Sequence, residues 1–312
     1  MRYIKRLILH VIKEIIGFIF LNFGGVYLLK NSIKGDNYLV ILNYHNFSKY
    51  NNYKIIRGKI LETDFASNFN KQIRFLKKHF NFTYPEEFFP NNRVDRINVL
   101  ITFDDGYKDN YDIALPVLKK HNAKAIFFIV TNVIGTKKWL THDILRYLVQ
   151  TGIKSENEIE TLLKEMNQGE SIMDWLNKNK ACLMQHPSHR IMMNWDEVNK
   201  ISKEGFKIAP HTHNHEILSF LNFNAQKDEV YNSIITIKHK LSIDSKYFAY
   251  PNGLYNEESI QILNKNHIQY SFTTKPGFNT LTDKPYELKR IGVNASDSLG
   301  VLLLKLYLNR KK

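Results

Sequence analysis

One cysteine, Cys182, is present in 312 residues. A single thiol excludes an internal disulfide and any cysteine-cluster metal site, without settling the compartment. A second absence is a long apolar run. The uncharged stretch Ile15 to Leu29 is interrupted before it reaches the ~20 residues that usually cross a bilayer. No small-residue cleavage site follows it, so a removable signal peptide is not expected. Acidic residues are also short: 30 Asp and Glu against 44 Lys and Arg, a net charge of +14. That excess suits nucleic acid, an anionic membrane or an acidic polymer equally well. No helix-turn-helix or RNA-binding motif accompanies it, and no nucleic-acid partner is expected. Internal repeats and low-complexity linkers are absent too.

What is present is enough chain for one large domain with a sizeable core. Aromatic residues, 13% of the total, are spread along it, which excludes a disordered protein. Three parts are expected. Residues 1–35 carry Arg2, Lys5, Arg6, Lys13, Lys30 and Lys34 around apolar residues. They read as an amphipathic helix lying on anionic lipid, as a helix packed on the main domain, or as a short signal anchor. A membrane-associated location follows from the first reading, its side open, and a cytoplasmic one otherwise. Residues 36–300 form the main domain, and 301–312 a basic C-terminal tail.

Within the main domain apolar runs alternate with helical patterns. Strands are expected at 38–45, 98–103, 123–130, 206–211, 246–251 and 269–274, and helices at 65–80, 110–122, 194–205, 227–242 and 256–266. The alternation predicts an α/β fold with a parallel sheet or β/α barrel, chemistry lying at the carboxyl ends of the strands. Residues 136–192 break the rhythm and read as a polar helical insertion.

Three motifs fall where strands end: "TFDDGY" (102–107), "HTHNH" (211–215) and "FAYPNG" (248–253). Adjacent carboxylates at the end of an apolar run need a counter-charge. His211 and His215, four apart, can present both imidazoles to one ion. An aspartate completes a facial set that suits a divalent ion, most simply Zn2+, which acidifies bound water toward neutral pH. The second aspartate can then act as general base. Tyr107, just after the pair, is a candidate to line the pocket; Trp139 and His142, where the insertion begins, are candidates to contact a sugar.

These motifs, with "ILNYHNF" (41–47) before them and "FTTKPGFNTLTDKPYELKRIGV" (272–293) behind, resemble the polysaccharide deacetylase (NodB-homology) family of carbohydrate esterases. The resemblance runs from about Tyr38 to Val293, the insertion apart. It implies an irregular (β/α) barrel and metal-dependent removal of N-acetyl groups from an amino-sugar polysaccharide or lipid-linked glycan. Asp104 is then the general base, Asp105, His211 and His215 hold the metal, and Thr212 orients their loop. The backbone N–H of Asn252 serves the oxyanion, with Pro251 and Tyr107 beside the substrate. Many members carry an Arg where Ala249 stands, a Tyr where Asn252 stands, and a late Leu-x-His as general acid; no histidine follows His267 here. Arg290 is the candidate to hold the base and His45 the candidate acid. These departures leave two alternatives open: a catalytically weak glycan- or lipid-carrier-binding protein, and an amidohydrolase for a non-sugar molecule.

Overall fold

The computed structural model describes residues 2–33, 37–47, 65–90, 97–150, 152, 154–155, 157–159 and 190–310. The first half runs α1 (Arg2–Asn22), α2 (Gly25–Ser32), β1 (Leu39–Tyr44), α3 (Phe65–His79), β2 (Asn81–Phe82), α4 (Pro85–Phe88), β3 (Asn98–Phe103), α5 (Leu115–His121), β4 (Ala125–Ile129) and α6 (Thr141–Gln150). The second runs α7 (Trp195–Lys203), β5 (Lys207–Pro210), α8 (Phe223–Leu241), β6 (Tyr247–Ala249), α9 (Glu257–Lys265), β7 (Tyr270–Phe272), β8 (Ile291–Gly292) and α10 (Leu299–Asn309).

β1, β3 and β4 are buried almost end to end, which is why they read as continuous apolar runs rather than alternating ones. Every ladder is parallel. The main sheet has the order β5-β4-β3-β1-β8, with β2 also on β3, and β6 pairs with β7. A parallel bridge, Phe272 to Leu288, links β7 to the segment that enters β8. The strands thus follow an irregular barrel, and no ladder joins β5 to β6 among the described residues. The registers Tyr44–Phe103, Phe103–Phe127 and Ile129–Pro210 bring His45, Asp104 and His211 to one end of the sheet.

Aromatic packing anchors that end from below. Phe103 lies 4.8 Å from Phe127 and 5.6 Å from Tyr44, centroid to centroid, and Phe69 closes on Tyr44 at 5.3 Å. Each such ring contributes roughly 1.5–3 kcal/mol by leaving water. Helix ends follow local chemistry: Asn194 and Glu197 form a reciprocal capping box on α7, and Ser298 caps α10.

The C-terminal residues differ from expectation: residues 301–309 are not a tail, because Leu302, Leu303 and Leu306 of α10 are fully buried. Near the N-terminus Leu29 and Ile33 enter the main core, in keeping with the reading of a segment packed on the main domain. α1 lies against α10 where two glycines meet. A Cβ on Gly17 would fall 2.6 Å from the Gly300 carbonyl carbon, and one on Gly300 would fall 2.3 Å from that of Gly17. The outer face of α1, including Ile8, Ile12, Ile15, Phe18 and Ile19, stays exposed. No single described helix is long and apolar enough to cross a membrane; the pair Ile8–Asn22 and Gly25–Ser32, bent by 79°, meets that test only together. Most of the expected insertion, with Cys182, lies outside the described residues.

Candidate functional site

The chain leaves β3 through Asp104 and turns sharply at Asp105, whose φ is +77°. Gly106 follows at φ +90°, a left-handed conformation that favours glycine, and a Cβ there would also displace the tip of Ile134. Thr212, His215 and Asn252 also adopt positive φ. Such conformations cost about 1–3 kcal/mol each in non-glycine residues and concentrate where function demands a geometry.

Asp104 is buried and bonded on both oxygens. Arg290 donates Nη1 to Oδ1 at 2.7 Å and Nη2 to Oδ2 at 2.8 Å, and Asn43 Nδ2 donates to Oδ2 at 3.1 Å. Arg290 is itself only 1% exposed, so this is no surface ion pair. Its Nε donates to the Thr273 carbonyl at 2.7 Å, and its guanidinium lies 5.7 Å from the Phe128 ring centroid. Burial pushes the Asp104 carboxyl up, but the Arg290 charge, together with its hydrogen bonds, outweighs it and holds the group below the ordinary carboxylate range. His45, half exposed, places Nε2 at 3.9 Å from Asp104 Oδ2.

Asp105 is equally buried and treated otherwise. Its Oδ1 faces His215 Nε2 at 3.3 Å and His211 Nε2 at 3.6 Å, while Oδ2 has no hydrogen-bond partner. One ligand atom from each of these three residues falls within 4.8 Å of the others. His211 Nδ1 lies 2.7 Å from the Ala249 carbonyl, which requires a proton on Nδ1 and leaves the Nε2 lone pair toward Asp105. Burial lowers the His211 pKa to about 4, so the ring is neutral at physiological pH. His215 moves the other way: burial is outweighed by its hydrogen bond with Asp105 and by the Asp105 and Asp104 charges. Two imidazole nitrogens, a carboxylate oxygen and an orphaned buried oxygen fit a divalent cation, which would replace the proton His215 otherwise attracts.

Asparagine 252 follows β6 within a short turn, and its carbonyl accepts from Thr274 Oγ1 at 2.9 Å. Pro251 is buried. Tyr107 is buried as well, and its hydroxyl sits 2.8 Å from both His142 Nε2 and Asp143 Oδ2. Two sugar-contact and loop-orienting expectations change. Trp139 is a buried member of the α6 cluster, edge-on to Tyr147. The Thr212 hydroxyl has no hydrogen-bond partner among the described residues. Glu229 of α8 holds that loop instead, accepting from the backbone N–H groups of His213 at 3.0 Å and Asn214 at 2.8 Å. Glu229 and Asn43 were missed from sequence. The available signals were a polar residue inside the apolar run of β1 and an acid within the buried stripe of α8.

The polysaccharide deacetylase profile matches residues 91–271, more than half of the chain. The chain belongs to the polysaccharide deacetylase family. YxkH of Bacillus subtilis is 28% identical over 196 residues, 63% of this chain, and the match spans about half (51%) of YxkH's own length. The poly-beta-1,6-N-acetyl-D-glucosamine N-deacetylase of Staphylococcus epidermidis is 26% identical over 283 residues, 86% of this chain and 82% of that protein. The deacetylase PplD of Streptococcus pyogenes, solved in complex with acetate, shares the fold with a TM-score of 0.61 at 21% identity, covering 87% of this chain and 99% of that one. The (β/α) architecture expected from sequence is therefore the family's. The profile match begins after His45 and ends before Arg290, so those two parts of the polysaccharide deacetylase site rest on geometry alone.

Proposed function

We propose that this polysaccharide deacetylase removes N-acetyl groups from a polymer of N-acetylglucosamine, with Zn2+ as its ion. The observation that carries the reading is the pairing of Asp104 with Arg290 and Asn43 directly beside the Asp105, His211 and His215 cluster. The named activity of the Staphylococcus epidermidis relative supports the substrate class.

Each residue then has a task. Asp105, His211 and His215 hold the cation, which supplies Lewis-acid polarisation of the acetyl carbonyl and a water acidified toward neutral pH. Asp104, kept ionised by Arg290, takes the proton of the attacking water. The Asn252 backbone N–H donates to the acetyl oxygen as charge develops on it. His45, across from Asp104, gives a proton to the departing amine as the C–N bond breaks and acetate leaves. Arg290 answers the departure at Ala249, because a bidentate guanidinium can orient the base from another strand. That support favours turnover over a binding protein that merely keeps the metal.

Acetate release from poly-β-1,6-N-acetylglucosamine, and from a lipid-linked oligosaccharide of the same sugar, tests the proposal. Wild type is expected to release acetate and Asp104→Asn to do so at least ~100-fold more slowly. Equal rates sink the assignment.

The reading extends to location: α1 lies on an anionic membrane surface. Its exposed apolar face carries Ile8, Ile12, Ile15, Phe18 and Ile19, with Lys13 also exposed. Co-sedimentation with vesicles containing phosphatidylglycerol is expected for wild type and lost in Phe18→Glu/Ile19→Glu. Binding unchanged by that pair of substitutions removes this part of the reading.

A further inference from the structure

Residues 273–275, which leave the carboxyl end of β7, touch two separate parts of the site. On one side they hold the cation of the base. The Thr273 carbonyl accepts from Arg290 Nε at 2.7 Å, and the Lys275 carbonyl accepts from the Arg290 backbone N–H at 2.9 Å. On the other side they meet the turn Pro251–Gly253. The Thr274 hydroxyl donates to the Asn252 carbonyl at 2.9 Å. Gly253 packs so closely that a Cβ on it would overlap the Thr274 backbone nitrogen and hydroxyl oxygen. The turn needs such support. Asn252 at φ +54° and Gly253 at φ +70° are consecutive residues in the left-handed region. A non-glycine residue keeps that conformation only where its surroundings over-determine it. Asn252 can relax to negative φ only by rotating the peptide planes on either side of its Cα. The plane after it carries the carbonyl that Thr274 holds. The plane before it carries the Asn252 N–H, which has no hydrogen-bond partner among the described residues.

We propose that Thr274 is a positioning residue for the oxyanion donor: its hydroxyl, on the Asn252 carbonyl, fixes the left-handed turn so that the Asn252 N–H stays aimed into the site. The inference rests on the reading of that N–H as the oxyanion donor and goes beyond it by naming what aims it. A preorganised donor meets developing charge without rearranging at the moment of reaction. A turn free to relax loses that advantage, yet leaves Asp105, His211 and His215 in place, because those follow β3 and β5. Since residues 273–275 also hold Arg290, the cation of the base and the oxyanion donor are set against one short piece of backbone.

Steady-state acetate release by the full, Zn2+-loaded chain from a β-1,6-linked N-acetylglucosamine oligomer tests this. Thr274→Val removes the hydroxyl and keeps the branched shape. It is expected to lower kcat about 10–100-fold with KM within about twofold of wild type. Thr274→Ser keeps the hydroxyl and is expected to stay within about threefold. Zn2+ affinity by chelator competition should stay within about twofold in both, since no ligand has moved. Thr274 is exposed, so the core is untouched; Thr274→Ala, expected to behave as Thr274→Val does, carries the test if valine there does not fold. An N-trifluoroacetyl oligomer adds a readout that altered folding would not move. Its fluorines stabilise the oxyanion themselves, so the loss in Thr274→Val should shrink by about threefold or more. A kcat in Thr274→Val within about twofold of wild type, a loss confined to KM, Thr274→Ser as impaired as Thr274→Val, or equal losses on the two oligomers would each overturn the proposal. Gly253→Ala, which forces the whole turn off Thr274, separates this from failure of the parent reading. It is expected to lower kcat about 100-fold or more. If Gly253→Ala is impaired and Thr274→Val is not, the proposal alone falls; if neither is impaired, or wild type releases no acetate, the oxyanion reading falls with it.

Discussion

Asp104 and Asp105 are consecutive and buried to within a percentage point of each other, at 2% and 1% exposure. The fold surrounds them with different chemistry. Asp104 meets a guanidinium and an amide that occupy both of its oxygens. Asp105 meets three imidazoles and keeps one oxygen without a hydrogen bond. A charge neutralised by a fixed internal cation has no need of an ion from solution; a charge faced by titratable rings calls for a proton or a metal. Burial is the same for both and so cannot decide their roles. The partners do.

Exchanging the roles by mutation should break that comparison most severely at Asp105. Asp105→Ala is expected to lower Zn2+ affinity by about 1000-fold or more, one of three protein ligands being lost, as read by chelator competition. Asp104→Asn should hold Zn2+ within about threefold while kcat/KM falls by about 100–10,000-fold. Loss of metal from Asp104→Asn would mean that the two carboxylates are not separable.

Arg290 carries the next largest effect. Arg290→Met leaves a buried carboxylate without its cation and should cost about 3–5 kcal/mol in urea unfolding. Adding Asp104→Asn to it should restore much of that loss, because the uncompensated charge goes with it. Additive losses would show that Arg290 stabilises the fold through Thr273 and Phe128 rather than through Asp104. Asn43→Ala removes a hydrogen bond to a charged group from the same carboxylate and is expected to cost about 1.5–3 kcal/mol in the same assay.

Asp109 supplies the weakest and most general contrast. It accepts from the Phe47 N–H at 2.8 Å and has no ion pair among the described residues. Burial pushes its pKa up to about 7, with the Asp112 and Asp143 charges adding to the rise. A raised carboxyl binds its proton more tightly folded than unfolded, so its contribution to stability is complete below about pH 4 and is lost as pH rises through about 7. Urea unfolding should show stability falling between pH 5 and pH 8 by roughly 2–3 kcal/mol from this group, a slope that Asp109→Asn removes. An unchanged slope in that variant would assign the pH dependence elsewhere.

Much of this architecture was legible along the chain. Each described strand of the main repeat lies inside its expected run, from Leu39–Tyr44 to Tyr270–Phe272, because a strand covered on both faces leaves an uninterrupted apolar word. Short elements were not legible: β8 has two residues and takes its identity from pairing with Leu42 and Asn43 of β1. α10 falls mostly within the stretch expected as a basic tail, which ends on Arg310, Lys311 and Lys312, whereas Leu302, Leu303 and Leu306 are buried in the core. The site divides the same way. The motifs around Asp104, Asp105, His211 and His215 could be picked out by local spacing, while Asn43, Glu229 and Asp143 are single polar residues whose meaning depends on what they touch.

By itself, then, the sequence determined the local quantities: the strand and helix words, the sharp turn at Asp105 and Gly106, the family, and a histidine pair at ligand spacing. Those follow from periodicity and backbone chemistry, which act over a few residues. Only the tertiary structure decided which carboxylate receives Arg290, which loop Glu229 holds, and that His142 faces the free oxygen of Asp105. Arg290 lies 186 positions from Asp104 and Glu229 lies on a separate helix, and no local pattern encodes a contact of that kind. Folding brings their charges within reach in a dry interior, where a few ångströms separate a satisfied carboxylate from one that still needs a cation.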